Sequence, residues 1–181
     1  MLQCPFHKPK WEPMFWNNLR EQDANISNCY SYALNYVEKN TDPDNMLKIQ
    51  PGDISNSNVN NLTCRNIIKN IESDYNIKLI PVRLNEPLLC NHYRIAIVLD
   101  NEGDHRDYHL YRQDMDNRWS HKQGKGKIKR YDSSFKPIYD PKVANRNYST
   151  KDDLHNDKYN YSIFCGYFSI PYNGGPFYRN I

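Results

Sequence analysis

Apolar positions follow two rhythms along this chain. Tyr30, Ala33, Leu34 and Val37 recur at helical spacing behind a cap at Ser27 or Asn28, which predicts a helix over about 28–39. Cys64, Ile67, Ile68 and Ile71 repeat the i, i+3, i+4, i+7 stripe and predict a second helix over about 62–74, closed by Asn76. The turn chemistry of "NTDPDN" and "QPGD" separates the two. Beyond residue 76 the period changes to two. "IKLIPVRL", 77–84, reads as a strand, and Pro81 assigns it to an edge or bulge. In "YRIAIVLD", 93–100, Ile95, Ile97 and Leu99 alternate with Ala96 and Val98. Both faces are apolar, so this strand is expected at the centre of a sheet covered on both sides. "DYHLYRQ", 107–113, follows after a short polar turn and is expected antiparallel to it. "RWSHK" continues the sheet, and "YSIFCGYFSIP", 161–171, is the last strand. Helices early and strands late predict an α+β fold, with helices packed on a mostly antiparallel sheet.

The length of 181 residues suits one domain spanning 1–181. Residues 1–26 read as an irregular lead-in that packs Trp11, Phe15 and Trp16 onto a core of 28–171, and 172–181 as an irregular tail. Charged residues make up 25% of the chain, which implies a polar, soluble surface. The longest clean apolar run, Ile95 to Leu99, falls far short of a membrane span. "MLQCPFHKPKWEP" lacks the smooth apolar stretch of a signal peptide, so the expected setting is intracellular, a host cytoplasm or a virus particle included. Cys4, Cys29, Cys64, Cys90 and Cys165 are odd in number and contain no CxxC. That argues against a disulfide framework and for a reducing compartment. A net charge of +3 is too small to imply nucleic acid binding. The basic run "KQGKGKIKR" has no interleaved aromatics and reads as a solvated loop.

Three residues carry candidate chemistry. Cys29 stands at a predicted helix start, where unpaired N–H groups favour a thiolate. His92 opens the central strand, and His109 lies in the next one. A histidine in reach of a thiol takes its proton, and a third polar group fixes the imidazole. Taken singly, each has a bland reading: a buried cysteine is usually a small apolar residue, and a strand histidine usually packs. A zinc site from Cys90, His92, His105 and His109 has suitable residue types, but the spacing matches no common zinc motif.

The order "NCYSYAL", "HYRIAIVLD", "DYHLYRQ" resembles the NlpC-like branch of the papain-like cysteine peptidases. There a Cys opens a helix packed on an antiparallel sheet, a His begins the next core strand, and a third polar residue follows on the strand after. The resemblance implies a papain-like (NlpC-like) fold with Cys29 as nucleophile, His92 as base and His109 as orienter. Asp107 and then His121 are alternatives for the third place; His121 is also an alternative base. Asn28 is either an oxyanion auxiliary or a cap. "NCYSYALN", "DYHLYRQDMDNRWSHKQG" and "FCGYFSIP" together resemble a largely uncharacterised bacterial and viral family. Cell-wall-cleaving NlpC-like members carry Asp-Cys-Ser/Gly where this chain has Asn-Cys-Tyr, which points away from that substrate. The implied activity is a cysteine-dependent peptidase, amidase or acyltransferase working through a thioester, with a peptide, amide or ester substrate, no cofactor and no metal. The alternative is a non-catalytic structural or interaction protein, such as a virion component, that docks a protein partner through "WEPMFW" and "GGPFYRNI".

Overall fold

The computed structural model describes residues 8–39, 48–57, 61–102, 106–149, 159–172 and 174–180. Its elements run α1 (Pro13–Trp16), α2 (Glu21–Ile26), α3 (Cys29–Ala33), β1 (Tyr36–Lys39), α4 (Cys64–Tyr75), β2 (Ile80–Val82), β3 (His92–Asp100), β4 (Asp107–Gln113), β5 (Trp119–Lys122), β6 (Ile128–Lys129), β7 (Ile163–Pro171) and β8 (Phe177–Asn180). The α+β class expected from the periodicity is what forms. Six strands make a sheet in the order β2-β7-β3-β4-β5-β6, with every neighbouring pair antiparallel.

β3 is central, flanked by β7 and β4, and Tyr93 to Asp100 are all buried. Its two apolar faces supply two cores. Ile95, Ile97 and Leu99 pack with Leu110, Phe168, Ile67 and Ile71 beneath α3 and α4. Ala96 and Val98 pack on the other side with Tyr111, Trp119, Tyr161 and Tyr167. β2, with Pro81 inside it, sits at the sheet edge, where a residue without an N–H is tolerated. Asn76 closes α4 in the left-handed region at φ 50°.

Four expectations are corrected. The first helix ends at Ala33 rather than near residue 39, because Asn35 turns the chain at φ 63°. Residues 36–39 then form β1. The tail is not irregular: β8 pairs parallel with β1, Tyr36 opposite Phe177. The lead-in contains two short helices, and Trp16 is buried against Tyr32 at 4.8 Å. Finally, Cys64 and Cys165 form a disulfide that ties α4 to β7 across 101 residues, and Cys90 is disulfide-bonded as well. An odd cysteine count hid these bridges, because one thiol, Cys29, stays free in the core.

A buried ion network fixes the lead-in. Arg112 and Asp114 pair at 3.0 Å with neither side chain exposed. Arg112 also donates to the carbonyls of Tyr32 and Lys10 and stacks over the Tyr32 ring. Arg130 reaches Asp114 at 2.9 Å and covers Trp11. Among the described residues, no helix is long and apolar enough to cross a membrane.

Candidate active site

Asn28 caps α3 with a full capping box: its Oδ1 accepts from the N–H groups of Tyr30 and Ser31, and Ser31 Oγ accepts from Asn28 N–H. Its Nδ2 donates to Ile49 O at 2.8 Å. The side chain is therefore committed to holding the helix, which is the cap of the two roles expected for it. Cys29 follows as the first helical residue. β4 pairs with β5 only through Arg112 and Gln113, so on the side away from β3 no described strand runs beside residues 108–110. α3 fills that wedge. The Cys29 sulfur lies 4.0 Å from the Tyr108 carbonyl, one peptide group from His109.

A cleft of about 250 Å³ opens there. Cys29 and His109 both line it, with Lys48, Gln50, Asp107, Gln123, Gly124, Tyr159 and Tyr161 around them. The turn at 50–57 is bound to α4 through Asp74, which accepts from Gly52 N–H, Ser55 N–H and Tyr30 O–H. That turn presents Gln50, whose Oε1 accepts from Tyr108 O–H at 2.7 Å.

His109 meets His121, not His92. In the β4–β5 hairpin Arg112 faces Ser120, so His121 falls opposite Tyr111 and diagonal to His109 on the same face. His109 Nε2 and His121 Nδ1 are 2.9 Å apart, and His121 Nε2 lies 3.0 Å from the Tyr131 carbonyl. A carbonyl only accepts, so His121 carries its proton on Nε2. Its Nδ1 then accepts from His109 Nε2–H, which leaves the lone pair of His109 on Nδ1. Burial holds both rings neutral: His109 well below its usual range, and His121 down to about 4. The His109 ring lies over Tyr161 and edge-on to Tyr111, and Tyr161 O–H donates to Asp107 at 2.7 Å.

His92 is elsewhere. Val98 is the residue opposite His109 on β3, and His92 precedes it by six positions. At about 3.3 Å per residue, that is about 20 Å along the strand. His92 is half-buried at the other end of the sheet, where it pairs with Pro171 and its ring contacts the Cys90 carbonyl. His92 is therefore not in reach of Cys29 as the expected base; the histidine in the Cys29 cleft is His109, and the residue against it is His121. Asp107 lies opposite Asp100 and near Cys29, so it cannot orient His92 either. The zinc alternative falls with the same geometry: Cys90 is oxidised, His92 and His109 are apart, and His105 lies outside the described residues. Among the described residues no group of three His, Cys, Asp or Glu side chains could hold a metal.

The thiolate expected at Cys29 does not form at rest. Burial and the nearby Asp107 carboxylate push the thiol up to about 12. A helix of five residues has too small a dipole to offset that desolvation. Cys29 is a neutral thiol beside a neutral imidazole. Lys122 ends the "RWSHK" strand and opens the basic run expected to be a solvated loop; it is fully buried next to His121 and lies near Cys29.

Insoluble matrix shell protein 1 of Ruditapes philippinarum is 32% identical to this chain over 140 residues, covering 76% of this chain and 81% of the relative. The chain belongs to that protein's family. No family model matches the chain, and no solved structure does. Membership in the shell matrix family names no reaction, so the chemistry of the cleft rests on the geometry above.

Proposed function

We propose that this member of the shell matrix protein 1 family is a cysteine-dependent hydrolase or acyltransferase of NlpC-like, papain type, acting on an amide or ester carbonyl. The observation that carries the reading is the relay His109–His121–Tyr131 carbonyl beside Cys29. The relay leaves the His109 lone pair on Nδ1, and His109 lines the same cleft as Cys29, the only free thiol among the described residues. The order of parts also supports it: a capped helix bearing Cys29, then consecutive antiparallel strands bearing His109 and His121.

In this reading the substrate carbonyl enters beside Cys29. His109 Nδ1 takes the thiol proton as the sulfur attacks the carbonyl carbon. The N–H of Cys29, at the first helical position and without an intrahelical acceptor, faces the oxyanion. The tetrahedral adduct collapses to a thioester, and the imidazolium returns its proton to the departing amine or alcohol. Water, or a second nucleophile in a transferase, then releases the acyl group by the reverse proton path.

The disulfides favour an oxidising compartment over the intracellular setting read from the N-terminus. The relative's name favours a second reading, in which the chain is a structural component of an insoluble shell matrix and the site turns nothing over. Single-turnover mass spectrometry separates the two. The chain is mixed with a panel of activated esters and peptide amides. A mass added at Cys29 that disappears in Cys29→Ala supports the hydrolase; a panel that never acylates Cys29 supports the structural component.

A further inference from the structure

Trp119, Ser120 and His121 each have a clear contact: Trp119 fills the second core, Ser120 Oγ meets Tyr32 O–H, and His121 holds His109. Lys122 completes this four-residue strand, and it too is buried, at 1% exposure. Its Nζ donates to the carbonyls of Gly124 at 2.6 Å and Ala24 at 3.3 Å. It forms no ion pair with a carboxylate among the described residues. A buried ammonium satisfied only by carbonyls is expensive to keep, and packing alone would favour an apolar side chain there.

The neighbourhood shows what the charge faces. Gly124, whose carbonyl takes Lys122 Nζ, lines the same cleft as Cys29 and Lys48, so the ammonium sits behind the wall of that cleft. Cys29 from α3, Lys48 from the segment before the 50–57 turn and the Ala24 carbonyl of α2 are the other groups it faces. Around the Cys29 sulfur lie Asp107, Tyr108 and Tyr111 from β4, together with Tyr161. Of these groups, Asp107 opposes negative charge on the sulfur and the tyrosines offer none in its favour. The Leu110 backbone N–H favours it first, and the cation that adds to it is Lys122.

We propose that Lys122 is a positioning residue of the Cys29 site: pinned by the Ala24 and Gly124 carbonyls, its ammonium supplies the counter-charge for the thiolate that His109 generates. The proposal rests on the cysteine–histidine reading and gives the "WSHK" segment one joint purpose. His121 orients the base, and Lys122 stabilises what the base leaves behind. The proton moves from sulfur to His109 Nδ1, and Lys122 stays protonated throughout. Burial brings Lys122 down to about 8, so the support is present below that pH and is lost above it, as the ammonium becomes a neutral amine.

The test is the rate of Cys29 alkylation by iodoacetamide, resolved by peptide mass, between about pH 6 and pH 10. Cys64, Cys90 and Cys165 are oxidised and do not compete. The wild-type rate is expected to climb with pH and to bend downward near pH 8. Lys122→Arg, whose charge persists, is expected to climb without a bend. Lys122→Met is expected to react about tenfold more slowly near neutral pH. If Lys122→Met does not fold, the wild-type and Lys122→Arg profiles decide alone. Superimposable profiles for those two overturn the proposal, as does an unchanged rate in a folded Lys122→Met. His109→Ala tells apart the two possible failures. If it leaves the alkylation rate unchanged while the Lys122 bend is present, the histidine reading has failed and the Lys122 pairing stands. If it slows alkylation while the bend is absent, the reverse holds.

Discussion

Acid should destabilise this fold through its buried histidine pair. His121 is wholly buried, donates to the Tyr131 carbonyl and accepts from His109. Protonation places a second N–H against the His109 N–H and a charge in the core. Its folded value, about 4, lies below the 6.5 of an unfolded histidine. A depressed value means that the unfolded chain binds the proton more readily. The stabilisation is therefore complete above pH 6.5 and is lost as pH falls toward 4. At 1.36 kcal/mol per pH unit, the gap amounts to about 3 kcal/mol. His109, shifted the same way, adds to the loss. The assay is urea unfolding at about pH 7 and about pH 4.5, for wild type and His121→Gln. Glutamine keeps a donor and an acceptor but does not titrate. Carboxylates contribute equally to both proteins, so the wild type should lose about 2–3 kcal/mol more than the variant over this interval. Equal losses in the two proteins would refute the buried neutral relay.

Three further outcomes follow from the same structure. Opening the Cys64–Cys165 bridge by Cys165→Ser releases a loop of 101 residues and should cost about 4.7 kcal/mol by the chain-entropy estimate; a urea midpoint within about 1 kcal/mol of wild type would contradict it. Asp114→Asn leaves the Arg112 guanidinium buried without its carboxylate and should cost about 3–5 kcal/mol in the same assay, whereas a loss under about 1 kcal/mol would mean the pair is not buried in solution. Cys29, pushed up to about 12, should react with iodoacetamide near neutral pH more slowly than an exposed model thiol; an equal or faster rate would contradict its desolvation.

The strands that carry the sheet were legible because their alternation is strong. β3 shows two apolar faces in the sequence, and it is central and covered on both. Pro81 announced an edge, and β2 lies there. The end of the first helix was not legible. Val37 continues a helical stripe, and only pairing with β8, some 140 residues away, makes Tyr36–Lys39 a strand. The candidate site was legible in composition and not in assignment. Cys29, His109 and His121 all stood out, but which histidine meets the thiol depends on two registers. In one, Val98 opposite His109 sends His92 to the far end. In the other, Arg112 opposite Ser120 brings His121 alongside. The short turn at 114–118 carries that second register, so counting back from it would have found the histidine pair. Burial was the other missing quantity. A helix-start position argues for a thiolate, and the desolvation that overrides it appears only once β4 and α3 are in contact.

In the proposed hydrolase, Cys29 works with His109 and His121. The most direct test of that arrangement is labelling of Cys29 by an acylating activity-based probe in wild type, His109→Ala, His121→Ala and His92→Ala. Cys29 should be labelled in wild type and His92→Ala, with a loss of about 100-fold or more in His109→Ala and a smaller loss in His121→Ala. Labelling that survives in His109→Ala, or that vanishes only in His92→Ala, would contradict it.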